Sequence, residues 1–124
     1  MQKILIVEDD PSLSGALLKR LSEEGFEVAV SEDGETGTRK AEEFRPDLIL
    51  LDIILPKKNG FKVLEELRAK EDFHKVPVLI LTNLESNFDI SRASEFHISA
   101  YLVKANYSLD EIVLKIRQTL ADKL

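Results

Sequence analysis

The chain has 124 residues, a length that suits one domain with one hydrophobic core. Its formal net charge of -6 argues against a nucleic-acid-binding surface, and the absence of cysteine excludes disulfides, thiolate metal sites and a cysteine nucleophile. No apolar run approaches the roughly 20 residues that span a bilayer, and the short run behind Met1 does not resemble an export signal. We therefore expect a cytoplasmic protein that binds neither membranes nor nucleic acid directly.

Five short runs rich in Val, Ile and Leu alternate along the chain with five helix-like stretches. Apolar runs of this kind are typical of parallel strands that helices cover on both faces. The predicted strands lie, in chain order, at residues 4–7, 26–30, 48–51, 76–81 and 100–103. The predicted helices lie at about residues 11–24, 35–44, 61–67, 85–96 and 108–120.

Local signals support several of these helices. Asp10 followed by Pro11 is typical of a helix start, with Asp10 as the N-cap. The stretch 85–96 has only an irregular apolar stripe, in which we expect at least one of Phe88 and Phe96 to be buried. The charge-rich stretches KAEEFR and EELRAKED are interpreted as solvated helix faces with i,i+4 ion pairs.

Strict alternation of strand and helix favours right-handed crossovers and a parallel sheet between two layers of helices. The predicted fold is a single α/β domain over residues 1–124. It is a three-layer sandwich whose five strands follow the flavodoxin-like order 2-1-3-4-5. In such sheets the functional crevice lies beyond the carboxyl ends of the strands, so candidate site residues should follow strands directly.

Polar side chains do follow four strands that are neighbours in the predicted sheet. They are Glu8, Asp9 and Asp10 after the first strand, Asp52 after the third, Thr82 after the fourth and Lys104 after the fifth. Taken singly, most could be solvated loop residues, and Asp10 is explained as an N-cap. Asp52 is different because it interrupts the apolar run LILLDIILP, and an isolated buried carboxylate needs a partner.

The combination of these side chains suits phosphoryl chemistry. Crowded carboxylates repel one another unless a cation neutralises them. Oxygen ligands without His or Cys select a hard ion such as Mg²⁺, for which Mn²⁺ would substitute. A carboxylate beside a metal, a lysine and a hydroxyl is equipped to attack a phosphoryl group, as in aspartyl-phosphate formation.

Four motifs in the chain resemble those of the receiver domains of two-component response regulators, the CheY-like proteins. They are ILIVEDD at 4–10, LILLDIILPKKNG at 48–60, VLILT at 78–82 and YLVK at 101–104. The resemblance covers essentially the whole chain. It implies that Asp52 accepts a phosphoryl group from the phosphohistidine of a sensor histidine kinase or of a phosphotransfer protein.

The resemblance also implies roles for other residues. The metal ligands that it implies are Glu8, Asp9, Asp52 and the backbone carbonyl of Ile54. Thr82 and Lys104 would contact phosphoryl oxygens. Tyr101 would be a switch aromatic that turns inward as the Thr82 hydroxyl moves to the phosphate, although an aromatic here also suits simple packing.

By the same resemblance, phosphorylation would change the face formed by the fourth helix, fifth strand and fifth helix. That change would control an unidentified downstream protein, and phosphorylation-dependent dimerisation is a further expectation. The domain would catalyse its own phosphotransfer without being a turnover enzyme. The chain ends directly after its last predicted helix, so it either acts by protein contact or is part of a longer protein. The sequence leaves both open.

Some positions depart from the family pattern. Lys104 is followed by Ala105, where the family usually has proline after a cis peptide, so this loop is either strained or built differently. Asn83 stands where a small residue is usual. His97 stands where glycine is common, at a helix end that favours positive φ.

Two apolar residues bear on the lifetime of the phosphoryl group. In the family, the residues two after the acceptor and two after the threonine influence hydrolysis. Here they are Ile54 and Leu84, and neither can orient an attacking water. We therefore predict slow self-dephosphorylation.

Two other classes of protein compete with this interpretation. A pseudo-receiver would serve only as a binding module, and Asn83 and Ala105 are the features that favour it. A flavodoxin or an aspartyl phosphatase would use the same fold. A flavodoxin requires a Ser/Thr/Gly-rich phosphate loop where this chain has EDDPS, and the phosphatase would need a cap domain for which the chain has no room.

Overall fold

Strands and helices alternate along residues 1–122, the part of the chain that the computed structural model describes. The strands are β1 (Lys3–Val7), β2 (Glu27–Ser31), β3 (Leu48–Leu51), β4 (Val78–Thr82) and β5 (Ala100–Val103). The helices are α1 (Pro11–Glu23), α2 (Gly34–Phe44), α3 (Gly60–Arg68), α4 (Asn87–Ser94) and α5 (Leu109–Asp122), with a 3-10 turn at Lys104–Asn106.

The predicted elements are confirmed, with small differences at their ends. The clearest is β4, which begins at Val78 rather than at residue 76. Pro77 has no N–H to donate to a strand ladder, so regular pairing starts after it. Asp10 is the N-cap of α1, as predicted, and its carboxylate accepts a hydrogen bond from the Ser12 amide at 3.0 Å.

All neighbouring strands of the sheet are parallel, in the order β2-β1-β3-β4-β5. The predicted flavodoxin-like architecture is therefore confirmed. Val7 at the end of β1 pairs with Leu51 at the end of β3, and Thr82 at the end of β4 pairs with Val103. This register brings the residues that follow β1, β3, β4 and β5 to one edge of the sheet.

The sheet lies between two layers of helices because successive side chains of each strand point to opposite faces. In β1, Leu5 and Val7 belong to the core beneath α2, α3 and α4, whereas Ile4 and Ile6 belong to the core shared with α1 and α5. These strand residues are almost completely buried, which accounts for the apolar runs in the sequence.

The helix α4 presents both an exposed and an inward-facing side. Phe88 is 74% exposed, and Phe96, just beyond the helix, is half-buried where it packs against the core, so the expectation that at least one of them is buried is met only in part. Arg68 donates hydrogen bonds to the carbonyls of Phe96 and Phe73, at 2.8 Å each. His97 has a φ of 56°, the positive value that the sequence suggested for this position.

Four residues of the two charge-rich stretches form ion pairs between elements rather than along one helix. Lys70 pairs with Glu42, and Arg45 pairs with Asp72 at 2.8 Å, so both pairs join α2 to the turn that follows α3. The predicted i,i+4 pairing is therefore wrong for these four residues. Because α2 and α3 are neighbours, each offers the other a partner of opposite charge.

Candidate functional site

Three charged side chains meet at the carboxyl edge of the sheet. Glu8 follows β1, Asp52 follows β3 and Lys104 follows β5. Glu8 is 3% exposed and Asp52 is 4% exposed. The Lys104 Nζ donates to Glu8 Oε1 at 2.7 Å and to Asp52 Oδ2 at 2.7 Å. The buried carboxylate in LILLDIILP therefore has a cationic partner, which it shares with a second buried carboxylate.

Backbone amides fix the remaining oxygen of each buried carboxylate. The Ile54 N–H donates to Asp52 Oδ1 at 3.1 Å, and the Asp10 N–H donates to Glu8 Oε2 at 3.0 Å. Within residues 1–122, no buried side-chain nitrogen or oxygen lacks a hydrogen-bond partner. Both carboxylates are thus held in one orientation, which favours a preorganised site.

The helix α3 begins directly against this site. Its first residue, Gly60, donates its N–H to the Ile53 carbonyl at 2.8 Å. A Cβ atom at Gly60 would lie 2.3 Å from the Asp52 carbonyl oxygen, a distance that no side chain tolerates. Glycine is therefore needed for the helix to approach the end of β3 so closely.

The electrostatics of the three charged groups reflect both their burial and their proximity. Burial raises the pKa of Glu8, and the negative charge of Asp52 acts in the same direction, against the hydrogen bond from Lys104. Burial alone would lower the pKa of Lys104, but its hydrogen bonds to Asp52 and Glu8 outweigh that effect and raise it. Lys104 therefore stays protonated at neutral pH.

A third acid adds negative charge that Lys104 cannot balance. Asp9 is exposed at the rim, and one carboxylate oxygen from each of Glu8, Asp9 and Asp52 lies within 4.8 Å of the others. The cluster holds three carboxylates and one ammonium, which contacts only Glu8 and Asp52, so it carries excess negative charge. An all-oxygen donor set with that charge fits a hard divalent cation such as Mg²⁺.

Thr82 and Tyr101 lie near this cluster but both hydrogen-bond to the main chain of Leu84, in the loop between β4 and α4 (residues 83–86). The Thr82 side chain is fully buried, and its Oγ1 accepts a long hydrogen bond of 3.5 Å from the Leu84 N–H. The half-buried Tyr101 donates its hydroxyl to the Leu84 carbonyl at 2.7 Å. Burial raises the pKa of Tyr101, which keeps the phenol protonated as a donor. The backbone of Leu84 thus connects the two predicted switch residues.

Removing the Tyr101 hydroxyl should weaken this connection measurably. We expect Tyr101→Phe to lower the free energy of unfolding by about 1 kcal/mol, the typical net value of one hydrogen bond. Urea denaturation would measure it. Tyr107→Phe is the matched control, because Tyr107 is a half-buried tyrosine packed in the opposite core. A loss for Tyr101→Phe no greater than for the control would contradict a structural role for the Leu84 contact.

The loop after β5 positions Lys104 although Ala105 stands where the family usually has proline. Lys104, Ala105 and Asn106 form a 3-10 turn, which the Tyr107 N–H closes onto the Lys104 carbonyl at 3.3 Å. Throughout the described residues every peptide bond is trans. Lys104 nevertheless reaches both buried carboxylates, so the loop is built differently and still delivers the lysine.

Sequence reasoning did not identify the backbone groups that complete the site. The amides of Ile54 and Asp10 and the carbonyl of Leu84 all act through main-chain atoms. Main-chain donors leave no signature in residue type, so only the fold could reveal them. Ile54 itself is exposed beside Asp52, which leaves its side chain free to influence access to the site.

Proteins of related sequence show the family to which the chain belongs. The family model described as the response regulator receiver domain matches residues 4–117. The transcriptional regulatory protein CiaR of Streptococcus pneumoniae is 44% identical, over 97% of this chain and 52% of CiaR. The DNA-binding dual master transcriptional regulator RpaA of Synechocystis sp. is 36% identical, over 97% of this chain and 49% of RpaA. The chain spans about half the length of these curated relatives.

Solved structures give the same result. A CheY-like response regulator receiver domain protein from Methanospirillum hungatei aligns with a TM-score of 0.90 and 25% identity, covering 98% of this chain and 95% of that one. The BeF3-activated N-terminal receiver domain of Klebsiella pneumoniae RstA aligns with a TM-score of 0.86 and 29% identity, covering 96% and 98%. None of the helices within residues 1–122 has the length and apolar character of a membrane span. The chain belongs to the family of response regulator receiver domains.

Proposed function

We propose that this domain is a phosphorylation-dependent signalling switch in which Asp52 is the phosphoryl acceptor. The observation that carries the proposal is the environment of Asp52, a buried carboxylate 2.7 Å from the Lys104 ammonium and within an all-oxygen acidic cluster. Membership of the receiver family supports the same role. The donor would be the phosphohistidine of a histidine kinase or of a phosphotransfer protein, and we infer a cytoplasmic location from that membership.

The reaction is a direct phosphoryl transfer. A carboxylate oxygen of Asp52 forms a new bond to phosphorus in line with the bond that breaks between phosphorus and the donor imidazole nitrogen. The imidazole leaves with that electron pair and takes up a proton. Lys104 stays protonated and neutralises negative charge on the transferred group. The domain performs this step on itself, so it is not a turnover enzyme.

The acidic cluster would hold the divalent cation. Glu8, Asp9 and Asp52 supply carboxylate oxygens, and we assign the Ile54 carbonyl as a further ligand. When bound, Mg²⁺, or Mn²⁺ in its place, supplies charge neutralisation at the phosphoryl oxygens. Asp9 is the exposed member, which suits the ligand that a hydrated ion meets first.

Phosphorylation would change the surface formed by α4, β5 and α5. Thr82 would move its hydroxyl toward the phosphoryl group, and Tyr101 would leave the Leu84 carbonyl and turn inward. Phe88, exposed on α4, offers that face an apolar contact for an unidentified downstream protein or for a second copy of the domain. With its net charge of -6, the domain is not expected to contact nucleic acid itself.

Phosphoryl uptake from a small donor tests the proposal directly. Purified domain would be incubated with acetyl phosphate, with Mg²⁺ or with a chelator, and its intact mass recorded. We expect a gain of one phosphoryl group that requires Mg²⁺ and is released by hydroxylamine, as an acyl phosphate is. No gain with Mg²⁺ would contradict the proposal and favour a pseudo-receiver that acts only by binding.

The phosphorylated state should be long-lived. Ile54 and Leu84 are apolar, so neither can position water for attack on the phosphoryl group. We expect a half-life of many minutes for the isolated domain, and a decay about tenfold faster or more in Ile54→Asn, which introduces a polar group there. Intact mass after removal of the donor would follow the decay.

The control for this prediction is Leu114→Asn, the same kind of change at an exposed position on α5. It should leave the decay rate unchanged. A wild-type half-life of seconds would contradict the expectation of slow hydrolysis, and equal decay in wild type and Ile54→Asn would show that residue 54 does not limit it.

A further inference from the structure

The loop that carries the proposed phosphoryl site, residues 52–59, is held at that end by hydrogen bonds from two main-chain amides. The Ile54 amide donates to Asp52 Oδ1 at 3.1 Å, and the Gly60 amide donates to the Ile53 carbonyl at 2.8 Å. We call this segment the β3–α3 loop. Any displacement of it would move the Ile54 main chain relative to the Asp52 carboxylate.

The far side of the β3–α3 loop lies on the start of α2. The Pro56 carbonyl accepts hydrogen bonds from the amides of Gly34 and Lys58, at 3.3 Å and 2.7 Å. A Cβ atom at Gly34 would lie 1.8 Å from the Lys58 carbonyl oxygen. Since the φ of Gly34 is not positive, glycine is required here for close approach and not for an unusual backbone conformation.

The side chain of Lys58 stabilises the contact between the β3–α3 loop and the start of α2. Its Nζ donates to Glu66 Oε1 on α3 at 2.6 Å and to Thr38 Oγ1 on α2 at 3.3 Å. The Lys58 side chain is 21% exposed and that of Glu66 is 31% exposed. One lysine therefore joins the loop to two of the helices on that side of the sheet, α2 and α3, in a place partly sheltered from water.

We propose that Lys58, through its ion pair with Glu66, is a positioning residue for the phosphoryl site. It holds the β3–α3 loop against Gly34 and so keeps the Ile54 main chain at a fixed place beside Asp52. The inference rests on the proposed function, in which the Ile54 carbonyl is a metal ligand. Residues that orient ligands without touching the metal commonly alter its affinity.

Two variants break the pair, and a third controls for loss of a lysine. Lys58→Met and Glu66→Gln each remove one partner with little change in size. Lys62→Met removes an exposed lysine on α3 that pairs with Glu65 at 3.3 Å. Two quantities are measured by NMR: the exchange of the Ile54 and Gly34 amides with water in the metal-free protein, and the Mg²⁺ dissociation constant.

We expect Lys58→Met and Glu66→Gln each to raise amide exchange and the Mg²⁺ dissociation constant by about fivefold, the upper end for a partly exposed pair. In the double variant, amide exchange and the Mg²⁺ dissociation constant should rise no further than in either single variant, because both changes act through the same contact. Lys62→Met should match wild type. Additive effects of the two changes, or a lower melting temperature with unchanged exchange and Mg²⁺ affinity, would overturn the proposal.

The two readouts separate this inference from the proposed function. If wild-type protein binds no Mg²⁺ and takes up no phosphoryl group, the proposed function fails. Amide exchange in the metal-free protein still decides whether Lys58 holds the loop, since it needs neither metal nor donor. If wild type binds Mg²⁺ and is phosphorylated but Lys58→Met does not differ from it in either readout, only the positioning role fails.

Discussion

Asp52→Asn should abolish phosphoryl uptake while leaving the fold intact. Asparagine has nearly the same shape as aspartate, and its Oδ1 can still accept the hydrogen bond that the Ile54 amide gives at 3.1 Å. It has no carboxylate oxygen to attack phosphorus, so the acyl phosphate cannot form. Intact mass after incubation with acetyl phosphate and Mg²⁺ should show no gain, and circular dichroism should show an unchanged spectrum.

The control for that loss is an adjacent acid with a structural role. Asp10 caps α1 through its carboxylate, and asparagine caps a helix about as well as aspartate. We therefore expect Asp10→Asn to gain one phosphoryl group at the wild-type rate. A full gain in Asp52→Asn would show that another residue is the acceptor. Loss of phosphoryl uptake in both variants would show that the acidic residues at this edge are required together, and it would not identify Asp52 as the acceptor.

The parts of the structure that the sequence predicted are those in which residue type and chain order decide the outcome. Both faces of the sheet are covered, so strands such as β3 appear as unbroken apolar runs. Strict alternation then limits the topology to a parallel sheet, and the parallel sheet brings strand ends together. Glu8, Asp52 and Lys104 could be assigned to one site on these grounds alone.

What the sequence could not show depends on contacts between elements. Gly34 gives no local signal, since its φ is not positive and its need for glycine comes from the Lys58 carbonyl above it. Glu66 looked like part of a solvated helix face, yet its partner is a lysine in the preceding loop. Such pairings are set by the distance between neighbouring segments, which a helical period does not encode.

Lys104→Met should destabilise the metal-free domain by about 3 kcal/mol, the low end for breaking a buried ion pair. Lys104 donates to both Glu8 and Asp52 at 2.7 Å, so its loss leaves two nearly buried carboxylates facing each other without a cation. The low end applies because 19% of the lysine side chain is exposed and water can partly replace it. Urea denaturation in the presence of a chelator would measure the loss.

Mg²⁺ should restore much of that stability, and this rescue separates an electrostatic role from simple packing. A cation that binds only the folded state stabilises it in proportion to the logarithm of its concentration over its dissociation constant. The variant cluster is more negative, so the stabilisation by Mg²⁺ should be larger in Lys104→Met than in wild type. Lys70→Met, which breaks the exposed pair with Glu42, should lose less than about 1 kcal/mol and show no added rescue. Equal stabilisation of Lys104→Met and wild type by Mg²⁺ would mean that Lys104 and the metal do not balance the same carboxylates.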